Sequence, residues 1–310
     1  MRDRVVALGG FLALPLVGLV VLLAVPGLDV RWEHHPSHFL LVLGVAVLNV
    51  ALGVWTSEAA NRRDEPVIPV LEGLRDRGFA GEELAVLERS ARELSRVDAL
   101  FSRYVGPRLA DRLREEPDLA RLGGREADVT VLFADLAGFT GFSEGRPATE
   151  VIEMVNAYWG ATVPIVVDVE GGLIERFAGD AVMAVFNALD DQPDHAVRAA
   201  RSGLAMRGRT EAIAGEHPEW PRFRIGLNTG LAVVGNVGAG EHRSFSAIGD
   251  TTNVAARLQA AAEPGQVLMS AATLERIRDL VTVHPIGSIP LKGKDEPVEV
   301  FELLAVQDRS

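Results

Sequence analysis

An apolar run ending on an aspartate, followed 45 positions later by a glycine-framed hairpin with an aspartate in its turn, constrains this chain most. Val129-Thr-Val-Leu-Phe-Ala-Asp135 is β-branched and apolar and stops at a carboxylate and a Gly-bearing turn, which predicts a buried strand. Downstream, Gly171-Gly172 opens a segment in which apolar residues alternate on both sides of Gly179-Asp180, the pattern of two short strands and a tight turn. At the ends of neighbouring strands, two hard oxygen ligands suit Mg²⁺ or Mn²⁺, with waters and substrate phosphates in the remaining positions. Such a pair can hold two ions on one phosphoryl group. Taken singly, Asp135 can cap the helix after Gly138 and Asp180 can be an ordinary turn residue.

Later segments narrow the choice. Phe133-Ala-Asp135-Leu-Ala-Gly138-Phe-Thr140, Phe177-Ala-Gly-Asp180, Ser244-Phe-Ser246-Ala-Ile-Gly249-Asp250-Thr-Thr-Asn253-Val-Ala-Ala-Arg257-Leu and Leu291-Lys292-Gly-Lys294 occur in that order. In these four motifs, about residues 125 to 305, the chain resembles a class III nucleotidyl cyclase, nearest the bacterial subclass with Thr or Ser at one base-reading position. The resemblance implies an α+β, ferredoxin-like catalytic domain working as a head-to-tail homodimer. One chain then supplies two divalent cations, Mg²⁺ or Mn²⁺, with Asp135, Asp180 and the Leu136 backbone. Its partner supplies Asn253, Arg257 and Lys292, together with the base-reading pair Arg176 and Ser246. One copy of each element per chain gives a two-fold dimer two equivalent sites.

The implied reaction is attack of the ATP ribose 3′-hydroxyl on the α-phosphate, with pyrophosphate leaving. Arg257 offers a fixed, always-charged fork to the α-phosphate, Asn253 orients the ribose, and Lys292 is a point charge for the terminal phosphates. The Gly138-Phe139-Thr140 turn offers N–H groups at a helix start, where phosphate binds readily. Lys292 and Lys294 are the only lysines in a chain otherwise using arginine. Arg176 departs from the pattern, since active adenylyl cyclases of the family usually carry lysine there. Arginine is also donor-only and still suits an acceptor on adenine, although the two side chains are not interchangeable at a tight site. Guanylyl cyclases usually place a carboxylate at this position. ATP is therefore favoured over GTP, and a weakly active or inactive cyclase-homology domain is the competing expectation.

The net charge of −12 argues against a nucleic-acid partner, and the lack of cysteine excludes disulfides and thiol chemistry. Residues 5–25 and 39–56 are apolar and uncharged, the length expected of spanning helices. Arg2, Arg4, Arg62 and Arg63 flank them. The positive-inside rule then predicts a two-span protein of the cell membrane with both termini and the catalytic domain cytoplasmic. Residues 1–57 thus read as a membrane hairpin and 58–124 as a helical linker, HAMP-like or coiled-coil. Residues 125–305 read as the catalytic domain. Within the linker, Leu84, Leu87, Ala91, Leu94, Asp98, Phe101 and Val105 alternate spacings of three and four, a heptad seam through which two copies can pair. Gly123-Gly124 reads as a hinge into the catalytic domain. There the sequence predicts strand 128–135, helix 147–169, hairpin strands 172–178 and 181–187, and helix 193–213. Strands 222–235 and 243–248, helix 251–263, strand 266–269, helix 271–279 and strands near 281–289 and 296–304 complete it.

Overall fold

The computed structural model describes residues 82–240, 242–290 and 296–307. The chain divides into two units, Met1–Leu100 and Phe101–Ser310. Helix α1 (Glu82–Val105) covers the heptad seam, and Leu94, Asp98 and Phe101 along it are all exposed. Gly106, at φ 92, ends it, and α2 (Pro107–Glu115) starts on a proline, where the missing N–H would have had no helical partner.

The larger unit is built on one eight-stranded sheet. β1 (Gly123–Leu136) lies between β3 (Ala181–Phe186) and β4 (Phe223–Ala239), with β2 (Leu173–Ala178) outside β3, all antiparallel. The short α3 (Phe139–Ser143) and α4 (Ala148–Pro164) connect β1 to β2, and α5 (His195–Glu216) connects β3 to β4. This β-α-β-β-α-β order is the ferredoxin-like arrangement that the sequence implied. β5 (His242–Ile248) folds back on β4, and α6 (Asp250–Ala261) follows. β6 (Val267–Ser270) adds parallel to β4. After α7 (Ala271–Ile277), β7 (Val281–Ile289) and β8 (Val298–Val306) complete the sheet in the order β6–β8–β7.

Strand periodicity of two sorts the core onto both faces. Leu132, Ala134 and Leu136 pack with Val182, Ala184 and Phe186 and with Met154 and Tyr158 of α4. Val129 and Val131 pack with Met183, Val185 and Ala255 of α6 on the other face. Asp135 follows the second alternation, so it ends on the face that α6 covers. Gly226 lets α6 sit that close, because a Cβ there would lie 2.4 Å from the Ala255 carbonyl oxygen.

The structure departs from the sequence expectations in three places. Gly123-Gly124 is not a hinge but the start of β1, paired to Asn236 and Gly235. A Cβ on Gly124 would stand 2.9 Å from the Val234 carbonyl oxygen, so this glycine permits close strand approach rather than flexibility. The helix expected over 147–169 stops at Pro164 and continues as a π-turn over Ile165–Val169. Proline removes one ladder donor, and the following bonds lengthen in register, with Glu170 N–H donating to Ile165 O at 3.0 Å. The expected cell-membrane placement is also overturned. Among the described residues no helix is long and apolar enough to cross a membrane; α1 and α5, the long ones, carry charged residues along their length, which a spanning helix excludes. The two apolar runs, 5–25 and 39–56, lie outside the described residues.

Candidate active site

The β2–β3 turn is the two-residue Gly179-Asp180 pair expected, with Gly179 at φ 66 and Ala178 opposite Ala181. That φ is a left-handed conformation that glycine adopts without a Cβ penalty. Ala181 in turn pairs with Asp135 across β1 and β3, so the turn sets Asp180 beside Asp135. Their carboxyl groups interact directly, and the Leu136 N–H also serves Asp180. Burial pushes the Asp180 carboxyl up to about 6, and the neighbouring Asp135 charge adds to the rise. Asp135 itself accepts from Arg224 Nη2, its cross-strand partner on β4, and from Gln259 Nε2 of α6 at 3.1 Å. Neither Arg224 nor Gln259 was singled out by the sequence reading. Arg224 had one signal, a charge set between Phe223 and Ile225 in an otherwise uncharged strand.

A second group forms around the β2–β3 hairpin. Between Ile174, opposite Ala184, and Arg176, opposite Met183, the register shifts, leaving Glu175 as the extra residue of a β-bulge. The Glu175 side chain points inward, on the face of Leu173, and is 1% exposed, while that of Arg176 is 58% exposed. Ser246 Oγ donates to Glu175 Oε1 at 2.9 Å, and the Ala247 N–H donates to Oε2 at 3.4 Å. Arg176 Nε lies 3.7 Å from Oε1, and its Nη2 reaches Met183 Sδ at 3.8 Å. Burial pushes the Glu175 carboxyl up, while Ser246, Arg176 and Ala247 draw it back in that order. The structure therefore brings Arg176 and Ser246 together and adds Glu175 between them.

A third group sits on α6. Asn253 and Arg257 are one turn apart and share a helix face. Asn253 is exposed, whereas Arg257 Nη1 is buried without a hydrogen-bond partner, a donor left for an acceptor from elsewhere. Gly138 takes φ 76 at the start of α3, ahead of half-buried Phe139 and exposed Thr140. Lys292 lies outside the described residues.

The residues fit divalent cations on electrostatic grounds. Two carboxylates facing one another at the mouth of a turn repel, and that repulsion adds to the burial that raises Asp180; a cation between them offsets both, as Arg224 already does at Asp135. Among the described residues no cluster of three or more His, Asp or Glu side chains offers another such site.

A family model described as "Adenylate and Guanylate cyclase catalytic domain" matches residues 124–304. The chain belongs to this cyclase family. The cyclase resembles "Adenylate cyclase 1" of Rhizobium meliloti, at 37% identity over 216 residues, covering 66% of this chain and 32% of that protein. The chain thus spans about a third of that relative's length. Among solved structures, the adenylyl cyclase CyaB from P. aeruginosa covers 60% of this chain and 98% of its own, at 31% identity and TM-score 0.56. The guanylyl cyclase Cya2 covers 60% and 96%, at 32% identity and TM-score 0.56. Near-equal likeness to an adenylyl and a guanylyl enzyme fits a nucleotide cyclase domain and does not discriminate between the two bases.

Proposed function

We propose that this cyclase converts ATP to 3′,5′-cyclic AMP and pyrophosphate in a homodimer. The observation that carries the choice of ATP is the Arg176–Ser246 pair. Arg176 has only donors to offer, and adenine N1 is an acceptor. Ser246 spends its hydroxyl hydrogen on Glu175 and presents lone pairs, which suit the adenine 6-amino group. Guanine reverses both positions, with a donor at N1 and an acceptor at O6.

Asp135, Asp180 and the Leu136 carbonyl would hold two divalent ions, Mg²⁺ or Mn²⁺. When bound, such ions lower the pKa of the ribose hydroxyl and offset charge on the phosphate oxygens. The protein's own residues do the rest. Arg257, with a buried N–H group still unpaired, donates to the α-phosphate as its charge shifts. Asn253, one turn earlier, orients the ribose, and Lys292 holds the terminal phosphates. Dimer formation is supported by an exposed apolar strip on β4 and β5, Leu231, Val233, Val237 and Ile248, the kind of patch that a partner covers. Leu94 and Phe101 of α1 offer a second stripe of this kind, consistent with pairing of two linkers.

Product analysis of the purified chain with ATP or GTP and Mn²⁺ tests the reading. Cyclic AMP as the main product supports it; GTP turnover to cyclic GMP exceeding that of ATP to cyclic AMP, or no product from either, overturns it.

A further inference from the structure

Glu175 belongs to none of the motifs above, yet it is the most completely buried ionisable side chain around the base-reading pair. β2 and β5 are not neighbours in the sheet. The Glu175 carboxylate joins them, accepting from Ser246 Oγ at 2.9 Å and from the Ala247 N–H at 3.4 Å while Arg176 Nε stands 3.7 Å away. A carboxylate cannot donate. The Ser246 hydroxyl hydrogen must therefore point at Glu175, and only lone pairs remain for anything else that Ser246 meets.

We propose that Glu175 is a positioning residue for base selection: by holding the Ser246 hydroxyl as an acceptor, and Arg176 beside it as a donor, it makes the site read adenine. This rests on the ATP reading above and deepens it. A serine hydroxyl alone is ambivalent, able to donate to guanine O6 as readily as to accept from the adenine amino group. The buried carboxylate removes that ambivalence. The β-bulge between Ile174 and Arg176 is what lets Arg176 stand beside Glu175, its Nε 3.7 Å from Oε1. In an unbroken strand Ile174 and Arg176 would share one face and Glu175 the other.

Glu175→Gln tests this at nearly constant shape. The fixed Ala247 N–H claims the single amide oxygen, so the NH₂ faces Ser246 Oγ. The hydroxyl then turns its hydrogen towards the base and becomes a donor. Cyclisation of ATP, GTP and purine riboside triphosphate, which lacks the 6-amino group, is measured with the full chain. Equilibrium binding of 3′-deoxy-ATP and 3′-deoxy-GTP, which cannot cyclise, is measured in parallel. Glu175→Gln should cut the preference for ATP over GTP and over the purine analogue by about tenfold, the worth of one hydrogen bond. In a Ser246→Ala background the same change should move both ratios much less, because only the contact of Glu175 with Arg176 then remains. Unchanged ratios in Glu175→Gln, or an equal effect with and without Ser246, would overturn the proposal. Should Glu175→Gln melt far below wild type, Ser246→Ala and Ser246→Thr decide. Thr keeps the hydroxyl and should keep the preference, Ala should lose it, and equal ratios for all three would overturn the proposal. Wild-type protein that yields no cyclic AMP defeats the ATP reading instead; the binding ratios still judge Glu175.

Discussion

Two buried carboxylates in this domain are raised by burial, and they part company in what surrounds them. Glu175 meets a hydroxyl, a backbone N–H and a guanidinium from its own chain, each of which pulls its carboxyl back down. Asp180 meets backbone N–H groups but also a second carboxylate, Asp135, which pushes it higher still, to about 6. The first is an acceptor that the protein completes for itself, so its work is to orient other groups. The second has a cation on one side only, Arg224 at Asp135, and Asp180 has none among the described residues, so the pair gains from positive charge supplied from outside. The same residue chemistry thus separates a positioning carboxylate from a ligand-seeking pair, and the difference is visible only in the partners.

The largest test removes one side of the ligand-seeking pair. Asp135→Ala or Asp180→Ala should lower cyclase activity by at least about a thousandfold, the scale seen when a group stabilising the transition state is lost. Thermal melting should move little for Asp180→Ala, while Asp135→Ala, which also leaves part-buried Arg224 without its carboxylate, should melt somewhat lower. A product assay beside a melt reads both, and activity near wild type in either variant would end the metal assignment. Next in size is a gain. Mixing Asp135→Ala chains with Arg257→Ala chains should recover activity approaching about a quarter of wild type, since half the dimers are mixed and each has one intact site of two. Recovery fails if the two residues serve one site within a single chain, provided that mixed dimers are shown to form.

How much of this could be read in advance depends on the kind of residue. Asp135 and Asp180 announce themselves because each ends or joins strands whose alternation is plain, and Ala178 to Ala181 is the turn that such alternation predicts. The pairing Asp135 to Ala181 then follows from the hairpin packing on β1. Glu175 is different. Leu173-Ile174-Glu175-Arg176-Phe177 reads as an even strand, and nothing in its composition marks the register shift that sets Arg176 beside Glu175. Gly124 misleads for a related reason. Glycine serves equally for freedom and for close approach, and only the neighbouring β4 backbone shows that here it is the second. Arg224 and Gln259 reach Asp135 from β4 and α6, contacts that depend on sheet order and helix seating rather than on local pattern.

A smaller effect probes the positioning side. Arg176→Lys should retain or raise ATP turnover, since a lysine donor serves the same acceptor with less bulk. Arg176→Glu should lower it by about ten- to a hundredfold, replacing a donor with an acceptor. It would also set a second carboxylate beside Glu175, turning the self-completed region into a repelling pair like the other. Competition assays with ATP and GTP measure both. If neither substitution alters turnover or base preference, position 176 does not touch the base.

The smallest expected effect comes from a buried polar group with no role in either site, and it supplies the baseline for the comparison. His195, at the start of α5, is buried, and its Nδ1 lies 2.8 Å from Thr130 Oγ1, which is itself 2.8 Å from Thr229 Oγ1. Burial pushes the imidazole pKa down, Asp128 opposing and Arg276 reinforcing. The folded protein therefore prefers the neutral ring more strongly than the unfolded chain does. Its contribution to stability is fully present above the unfolded histidine value of about 6.5. It is lost progressively as pH falls from there through the lower folded value, because the unfolded chain takes the proton first. His195→Gln removes the titration and weakens the threonine contact, at a cost of about 1–2 kcal/mol near pH 8. The gap in melting temperature between wild type and His195→Gln should narrow between pH 8 and pH 5, with base preference and metal-dependent activity at pH 8 unmoved. A gap that stays constant over that range would show that His195 is not held neutral by its burial. A changed ATP-to-GTP ratio would show that the base-reading region is coupled to the core beyond the contacts of Glu175, and the two carboxylates could not then be treated as separate devices.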